Sequence, residues 1–477
     1  ESYLDISGSA AFDSCIAFWI VPTGFQGIFG GGGACVQEVV IIQRGAQATF
    51  KDCETKAKGS GGGLFAVGNL KVFGSIAFEN CRSDPVMEKV VAEAYKNANG
   101  QIGGGALVHE VIIGKLGKAS FYNCGALFGG GLGILGGMLS VYGSIAFERC
   151  QSGDSGGGAF LDHDVTIGDL GQATFKDCKA KVGGGGLYGY DVAGYVTLDV
   201  FGSLAFIGCE ATSGPSERPI IPMGGGAFIS HVIIRTLAKV IFKDCRSYSQ
   251  AGGLQVSGLN VYGSVAFENC QAFGIERHSS DSYGPYAPGG GGAYALNDVI
   301  IGNLAKATFK NCKAPHGGGL RCRWLYVNGS IAFERCQGGT FGGGAVTFGG
   351  VIIQNLAKAT FKDCKALLGG GGLYVPRNTR ECFFNCEKVE EGLHVFGSIA
   401  FIGCKVFGKV QPAGGGGAFA INVIIWNLAK ATFQDCYSAG AGGGLSVDGW
   451  LNVSGSVAFE SCASLHIGGG GTAANAI

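Results

Sequence analysis

Histidines and carboxylates that follow glycine-rich segments are the best candidates for chemistry in this sequence. They are His109, Glu110, Asp162, His163, Asp164, His231 and Asp298. Enzymes that cleave acidic polysaccharides cluster carboxylates on one face, often with Ca²⁺ or a catalytic base. Such a site exists only if the fold brings these side chains into one pocket, so the elements that position them decide the question.

A repeat runs through the chain and sets those positions. The octapeptide GSIAFENC at 74–81 recurs with small changes in segments that end at Cys15, Cys150, Cys209, Cys270, Cys336, Cys404 and Cys462. A sister phrase, such as QATFKDC, alternates with it and ends at Cys53, Cys124, Cys178, Cys245, Cys312, Cys364 and Cys436. The chain is therefore a repeat array.

Each repeat contains three short segments in which apolar residues alternate, as in GGGLSVDGWLNVSGSVAFESC at 442–462. A period of two predicts β-strands, and Gly, Asn and Asp mark the corners. One coil cannot bury its apolar face alone, but stacked coils share a continuous core. The sequence therefore predicts a single domain over 1–477, an all-β right-handed parallel β-helix of about fifteen coils with three strands per coil.

This fold separates the candidate catalytic residues. They fall at one corner on alternate coils, about 10 Å apart for a strand spacing of ~4.8 Å. That distance is too long for one metal ion to share ligands from several coils, so we interpret them as solvated corner residues. We expect no enzyme activity and no cofactor.

Composition narrows the class of protein further. The 35 basic side chains balance 35 acidic ones, which predicts neither nucleic-acid binding nor a basic membrane-surface patch. The apolar run at 125–144 is rich in glycine and in phase with the repeat, so we expect no membrane span. The 19 cysteines and the sequons at Asn328 and Asn452 favour an extracellular or cell-surface location.

Most cysteines fall in one column, where two arrangements remain open. Neighbouring coils lie within disulfide reach, whereas a ladder of buried free thiols would act as small apolar residues. We favour the free ladder. Cys382 and Cys386 lie in an insertion instead and, with Cys322, are better disulfide candidates. A metal site at the CxxxC pair lacks the remaining ligands.

The residue after each core phenylalanine alternates in charge from coil to coil. Opposite charges at ~5 Å attract, so this column is expected to help set the register of stacking. The members of this register ladder are Lys51, Glu79, Glu148, Lys176, Lys243, Glu268, Lys310, Glu334 and Lys362.

Insertions interrupt the repeat at 16–29, 82–102, 210–223, 271–288, 376–391 and 405–413. Within 84–100, Asp84 precedes Pro85, a run of good helix formers follows, and Gly100 ends it, which predicts one short helix. The insertions are expected to decorate one edge of the β-helix and to contact partners there.

An outward-facing apolar stripe is the predicted lateral interface. Its aromatic members precede the Gly-Ser pairs, and its isoleucines lie in the Val-Ile-Ile strands. They are Phe73, Tyr142, Phe201, Tyr262, Phe396, Ile112, Ile233, Ile300, Ile352 and Ile424. Such a stripe suits a neighbouring copy or sugar rings, although folded-over insertions are an alternative cover.

The glycine-rich starts, as in Gly104-Gly105-Ala106-Leu107, pair with a later Phe-x-x corner. This pattern resembles the GGA[ILV]/FxxN repeat of chlamydial polymorphic outer membrane proteins, with FxxC mostly in place of FxxN. The resemblance covers nearly the whole chain and implies a β-helical passenger domain that is secreted and acts as a surface adhesin.

Together these features predict an extracellular structural protein, a rigid β-helical rod. The chain starts and ends on partial coils that complement each other, so we expect head-to-tail assembly into a fibre or surface appendage with an axial repeat of ~70 Å. The alternatives are an adhesin and, less favoured, a polysaccharide-active enzyme. The expected partners are further copies of the chain and, as a second option, glycans.

Overall fold

The protein folds as the sequence predicts, into an all-β right-handed parallel β-helix of about fifteen coils. The structure is a computed structural model, and it describes residues 3–18, 30–56, 59–83, 101–190, 195–212, 223–274, 289–377, 391–408, 414–466 and 468–476. The described residues include only the first or last few positions of each predicted insertion. The predicted helix within 84–100 lies outside them.

The chain forms two compact units. The first unit comprises 1–232 and 238–240, and the second comprises 233–237 and 241–477. Each coil contributes to three parallel sheets: a wide sheet from the first two segments, a phenylalanine sheet from the third, and a short sheet from the residues after the cysteine.

The strands of the first unit follow the repeat. In the wide sheet they are Leu4–Ile6, Ala34–Val36, Val40–Ile42, Leu64–Ala66, Asn69–Val72, Ala106–Val108, Glu110–Ile113, Leu132–Ile134, Leu139–Val141, Ala159–Leu161, Val165–Ile167, Leu187–Gly189, Thr197–Val200 and Ala227–Phe228. In the phenylalanine sheet they are Ser9–Asp13, Gln47–Lys51, Ser75–Glu79, Lys118–Tyr122, Ser144–Glu148, Gln172–Lys176 and Ser203–Ile207. In the short sheet they are Ile16–Phe18, Glu54–Lys56, Arg82–Ser83, Gly125–Ala126, Gln151–Ser152, Lys179–Ala180 and Glu210–Ala211. Two strands, His231–Ile234 and Lys239–Lys243, include residues of both units.

The second unit repeats the arrangement. Its wide sheet contains Leu254–Val256, Gly258–Val261, Ala293–Ala295, Asp298–Ile301, Leu320–Val327, Ala345–Ile353, Leu373–Val375, Gly392–Val395, Ala418–Ala420, Val423–Ile425, Leu445–Val453 and Gly471–Ala476. Its phenylalanine sheet contains Ser264–Glu268, Lys306–Lys310, Ser330–Glu334, Lys358–Lys362, Ser398–Ile402, Lys430–Gln434 and Ser456–Glu460. Its short sheet contains Arg246–Ser247, Gln271–Ala272, Lys313–His316, Gln337–Phe341, Lys365–Ala366, Lys405–Val406, Tyr437–Ser438 and Ala463–Ser464.

A stack of parallel phenylalanine rings forms the centre of each unit. In the first unit, the rings of Phe50 and Phe78 lie 5.0 Å apart, and those of Phe147 and Phe175 lie 4.7 Å apart. In the second unit, Phe267 and Phe309 stack at 4.7 Å. The ring spacing matches the strand spacing because each ring comes from the same register position of its coil.

The glycine triplets are required by this packing. Gly103 has a φ of +69°, which favours glycine. A Cβ on Gly104 would collide with the backbone of the next coil, and a Cβ on Gly105 would lie 2.6 Å from the ring of Phe121. The glycine-rich start of each coil is therefore the space into which the phenylalanine fits.

The residue before each ladder cysteine turns the corner in the left-handed region, which explains why Asp and Asn recur there. Asp52 has a φ of +51°, Asn80 of +53° and Asn123 of +50°, and Asn and Asp tolerate this conformation better than most residues. Nδ2 of Asn80 donates to Oδ1 of Asp52 at 2.8 Å, and Nδ2 of Asn123 donates to Oδ1 of Asn80 at 2.8 Å. Side-chain amides thus link successive coils outside the core.

A second, smaller core lies outside the wide sheet in each unit. It is built from the middle residue of the first segment, which faces away from the phenylalanine stack. In the first unit it includes Phe65, Leu107, Phe160 and Tyr188. In the second unit it includes Val346, Tyr374 and Phe419. This second core was not predicted from the sequence.

Candidate interaction edge

The corner between the wide sheet and the phenylalanine sheet carries the most unusual side chains of the described residues. On most coils with a Gly-Ser pair, an aromatic residue follows the wide-sheet strand. On the intervening coils, a four-residue turn with a leucine occupies the same corner. We call this corner the apolar edge. Its exposed or half-exposed members are Phe73, Leu116, Tyr142, Leu170 and Phe201 in the first unit, and Leu237, Tyr262, Leu304, Leu356, Phe396, Trp426 and Leu428 in the second.

The aromatic rings of the edge lie over the glycine of the next coil. A Cβ on Gly114 would lie 2.6 Å from the ring of Phe73. Tyr142 covers Gly168 in the same way, at 2.5 Å from the corresponding Cβ position. Phe73 and Tyr142 each remain 42% exposed, so one side of each ring packs against backbone and the rest is available to a partner.

Near the end of the second unit, Trp426 occupies the position that Gly114 and Gly168 hold in the first unit. Trp426 stacks on Phe396 with ring centroids 5.0 Å apart and an interplanar angle of 9°. Trp426 is 40% exposed. The edge there presents two stacked aromatic rings beside Leu428.

The leucines of the edge in the second unit are held in a strained conformation. In the turn from Gly302 to Ala305, the N–H of Ala305 donates to the carbonyl of Gly302 at 3.1 Å, and Leu304 has a φ of +61°. A turn with positive φ at its third position normally requires glycine or asparagine. Gly45, with a φ of +81°, fills the equivalent position in the first unit.

The same backbone strain recurs at three further leucines of the second unit, and none of their side chains is buried. Leu356 has a φ of +65°, Leu428 of +67° and Leu237 of +69°. Leu304, Leu356 and Leu428 are fully exposed, and Leu237 is 94% exposed. A left-handed conformation costs a residue other than glycine about 1–2 kcal/mol, and exposed leucine recovers none of it within the chain. Repeated strain of this kind points to a function outside the fold.

The predicted isoleucines of the lateral interface occupy a separate column, on the face of the wide sheet. Ile112 pairs in register with Lys71 and Ser140, and Ile352 pairs with Tyr326 and His394. Ile112, Ile233, Ile300 and Ile352 are half-buried, and Ile424 is buried. Polar residues therefore separate the isoleucines, and the aromatic and leucine residues form the more continuous apolar surface.

The carboxylates and histidines that suggested chemistry bind the backbone or side chains of the described chain. Nδ2 of Asn69 donates to Glu110, and Nδ1 of His109 lies 2.9 Å from the carbonyl oxygen of Leu135. Oδ1 of Asp162 accepts from the N–H of Gly136 at 2.9 Å and also lies 2.9 Å from Nδ1 of His163.

The remaining candidates of this group are also in local contacts. Oδ1 of Asp164 accepts from the N–H of Thr197 at 2.7 Å. The ring of His231 packs edge-on against Tyr195 at 5.0 Å. Partial burial raises the pKa of Asp298. Among the described residues, no group of three or more His, Cys, Asp or Glu side chains is placed to hold a metal ion.

The described ladder cysteines are free thiols. Most of them donate to the carbonyl of the core phenylalanine one coil earlier, as Sγ of Cys81 does to Phe50 at 3.3 Å and Sγ of Cys336 does to Phe309 at 3.4 Å. Burial raises the pKa of Cys53 to about 12 and raises the pKa of Cys312 as well. The thiols of Cys53 and Cys312 therefore stay protonated and unreactive in the folded protein.

The predicted disulfide candidates are placed differently. Cys322 is a buried free thiol in the second unit. Cys382 and Cys386 lie outside the described residues, so pairing with them stays a prediction.

The two sequons lie at or near the edge. Asn328 is half-exposed and takes the place of an aromatic residue, and its N–H donates to the carbonyl of Ile301. Asn452 is exposed in the wide sheet and pairs in register with Ile424. Glycans at these positions would stand beside the apolar edge.

The register ladder keeps its order in each unit. Lys51 pairs with Glu79, Lys310 with Glu334, and Glu334 with Lys362. Among the described residues of this ladder, Lys176 and Glu148 form an ion pair through Nζ and Oε1. Lys243 and Glu268 occupy the same strand position on their coils.

The leucines of the edge were not predicted from the sequence. Their signal is the recurring Asn-Leu-Ala-Lys at 303–306, 355–358 and 427–430, in which an isolated leucine follows a corner residue. An apolar residue in that position resembles a core residue until the turn geometry is known.

No family model, no curated protein and no solved structure matches this chain. Among the described residues, no helix is both long and apolar enough to cross a membrane.

Proposed function

We propose that this protein is a non-enzymatic extracellular structural protein whose copies stack end to end into a fibre or surface appendage. Its β-helix solenoid suits a rigid structural or adhesin-like protein because stacked coils share one continuous core. The resemblance to a family of secreted β-helical passenger domains supports the extracellular location.

The observation that carries the proposal is the in-register stacking of parallel coils in each unit. In the second unit, Phe459 stacks on Phe433 at 4.9 Å, and their strands pair in register. In the first unit, Phe12 stacks on Phe50 at 4.5 Å in the same way. A strand of this kind continues a sheet when it pairs with a matching strand of another copy.

End-to-end stacking of copies would continue these sheets and ring stacks. A contact between two different surfaces of the same chain does not close on itself and gives a filament. The charge pattern opposes the contact at one point, because Asp13 and Glu460 occupy the same register position and would meet. We therefore expect assembly to strengthen as salt screens this pair.

The test is polymer formation by the full chain, measured by sedimentation and negative-stain electron microscopy. Phe459→Lys places a charge in the ring stack at the strand Ser456–Glu460. This variant should form short or single particles, whereas wild type forms long polymers. Thr432→Lys is the matched control, since Thr432 is half-exposed and faces outward in the neighbouring strand. Dispersed wild-type monomers at high concentration would overturn the proposal.

The extracellular location is a separate part of the proposal. It is supported by the accessibility of the sequon residue Asn452, which is exposed. Endoglycosidase treatment of the native protein should increase its electrophoretic mobility, and Asn452→Gln should remove that change. A native protein without glycans would argue against this location.

An adhesin is the second candidate, and the exposed aromatic residues of the first unit favour it. Tyr142 lies against Gly168 and is 42% exposed, and an exposed aromatic ring can stack on a sugar ring. This function predicts saturable binding to glycans by particles that do not polymerise. Polymers without glycan binding would support the structural role instead.

A further inference from the structure

The apolar edge of the second unit presents equivalent leucine side chains at regular intervals. Leu304, Leu356 and Leu428 follow the same turn, have φ values between +61° and +67°, and are fully exposed. They lie on alternate coils, so neighbouring leucines are about 10 Å apart. Because the coils share one register, the three side chains project from the same position of their coils.

Lysines accompany the leucines without nearby acidic residues. Lys306, Lys358 and Lys430 each follow a leucine by two positions, are exposed, and pair in register with serines of adjacent coils. Asp and Glu are missing from the whole corner sequence at 260–267, 300–309, 326–333, 352–361, 394–401 and 424–433. The edge is therefore apolar and basic, although the chain as a whole has a net charge of zero.

Aromatic residues complete the edge with the amphipathic chemistry of a membrane interface. Tyr262 is 42% exposed beside Gly302, and Trp426 stacks on Phe396 two residues before Leu428. Tyr and Trp are enriched where apolar lipid meets water, because their rings are apolar and carry a polar group.

From this arrangement we propose that the apolar edge of the second unit docks on the surface of an anionic phospholipid bilayer. Leu304, Leu356 and Leu428 enter the boundary between headgroups and acyl chains, and the lysines beside them contact the lipid phosphates. Stable attachment to a membrane requires more than one such signal, and here aliphatic insertion and basic charge occur together.

The charge of the edge favours a lipid surface over a second copy of the chain. Two such edges facing each other bring together rows of lysines with no acidic partner in the corner sequence, and like charges in contact are unfavourable. An anionic bilayer offers the opposite charge over a broad surface. The strained turns also fit this role, because the fold itself gains nothing from leucine at these positions.

Binding of the full chain to vesicles tests the proposal and does not depend on fibre formation. The probes are vesicles of phosphatidylcholine alone and vesicles in which about one lipid in three is phosphatidylserine. Cosedimentation measures binding, and a blue shift of Trp426 fluorescence, obtained by difference from Trp426→Phe, reports entry of the edge into lipid. We expect binding to the anionic vesicles, weakening as salt rises.

The decisive variant is Leu304→Asn with Leu356→Asn and Leu428→Asn. Asparagine tolerates positive φ, so this variant should fold and melt at or above the temperature of wild type. Vesicle affinity should fall roughly tenfold for each leucine removed. If the leucines stabilised the fold instead, this variant would have a lower melting temperature than wild type and an unchanged affinity for vesicles.

Matched variants test the lysines and the leucines of the edge against the loss of a lysine or a leucine elsewhere on the surface. Lys306→Gln with Lys358→Gln and Lys430→Gln should abolish the preference for anionic vesicles, whereas Lys313→Gln with Lys365→Gln, on the short sheet, should preserve it. Leu367→Asn removes an exposed leucine away from the edge and should bind like wild type.

Three results would overturn the proposal. They are absence of wild-type binding, equal binding to both kinds of vesicle, and an asparagine variant that binds vesicles as wild type does. A change in oligomeric state of the asparagine variant without loss of vesicle binding would assign the edge to contacts between copies instead.

Discussion

Lys176 and Glu148 lie on neighbouring coils with Nζ and Oε1 2.9 Å apart. Their strands pair in register, so the contact follows from the alternating charge of the column. Glu148 raises the pKa of Lys176 through a hydrogen bond and its charge. Both side chains are exposed, so the pair is expected to influence register more than total stability.

Reversing charge in this column should destabilise the protein in a salt-dependent way. Lys176→Glu with Lys243→Glu places like charges on adjacent coils, and we expect the melting temperature to fall by about 1–2 °C at low salt. The loss should shrink at high salt because exposed charges are screened. Equal losses at both salt concentrations, measured by calorimetry, would mean that the column is only solvated.

The amide ladder at the corner should contribute more per residue. Asn80→Ala removes the hydrogen bonds to Asp52 and Asn123 and places alanine at a φ of +53°. We expect a loss of about 2–3 kcal/mol in free energy of unfolding, the sum of backbone strain and lost hydrogen bonds.

Asn80→Gly is the control for this variant, because it keeps the allowed backbone conformation and loses only the hydrogen bonds. Denaturant unfolding should therefore place it between wild type and Asn80→Ala. Identical stabilities for the two variants would show that conformation at this corner is unimportant.

The cysteine ladder predicts buried, unreactive thiols. With an aromatic disulfide reagent, the native protein should expose thiols only at partly accessible positions such as Cys35, while Cys81 and Cys336 react after unfolding. In the variant Cys382→Ser with Cys386→Ser, which lacks the predicted disulfide of the insertion, reducing agent should leave the melting temperature unchanged. A clear fall in melting temperature of this variant on reduction would indicate that described ladder residues form disulfides in the native protein.

His316 predicts a pH-dependent loss of stability in the second unit. Burial, with a smaller effect of Arg321, lowers the pKa of His316 to about 3, and its ring stacks on Phe341 at 5.8 Å. The unfolded chain binds a proton near pH 6.5 and the folded chain does not, so stability falls as pH drops from 6.5 towards 3. The loss from this residue reaches about 4 kcal/mol.

His316→Phe keeps an aromatic ring in the same stack and removes the titration. Its stability relative to wild type should increase as pH falls through this window, measured by denaturant unfolding at a series of pH values. A constant difference between the two proteins would contradict the assignment.

The aromatic residues of the first unit should serve contacts outside the fold. Phe73→Ser with Tyr142→Ser and Phe201→Ser should preserve the cooperative melt, with a small decrease in temperature from lost contact with the glycines beneath. Lateral association, measured by light scattering, or glycan binding should weaken. Unfolding of this variant would show that the rings belong to the core.

The periodic core could be predicted because its residues repeat at one register. Phe78 and Phe121 stack as the alternation implies, and the same pattern identified Cys81 as a ladder residue. The left-handed corner at Asn80 is visible in the sequence as a preference for Asp and Asn, although its role in linking coils required the side-chain geometry.

The leucines and the basic charge of the apolar edge could not be predicted from the sequence, for two physical reasons. Leu304 looks like a core residue until the turn at Gly302–Ala305 gives it a positive φ and full exposure. Lys306 contributes to a balanced net charge in the sequence, whereas stacking gathers lysines from coils far apart in the chain. Whether charged residues form a local patch depends on the register of the stacked coils, which the overall composition does not show.

Diffraction from concentrated, aligned protein tests the central claim of end-to-end assembly most directly. The structural role predicts long polymers with a strong meridional reflection near 4.8 Å, because the coils stack along the fibre axis. Dispersed monomers at high concentration, with no oriented reflection at that spacing, would contradict it.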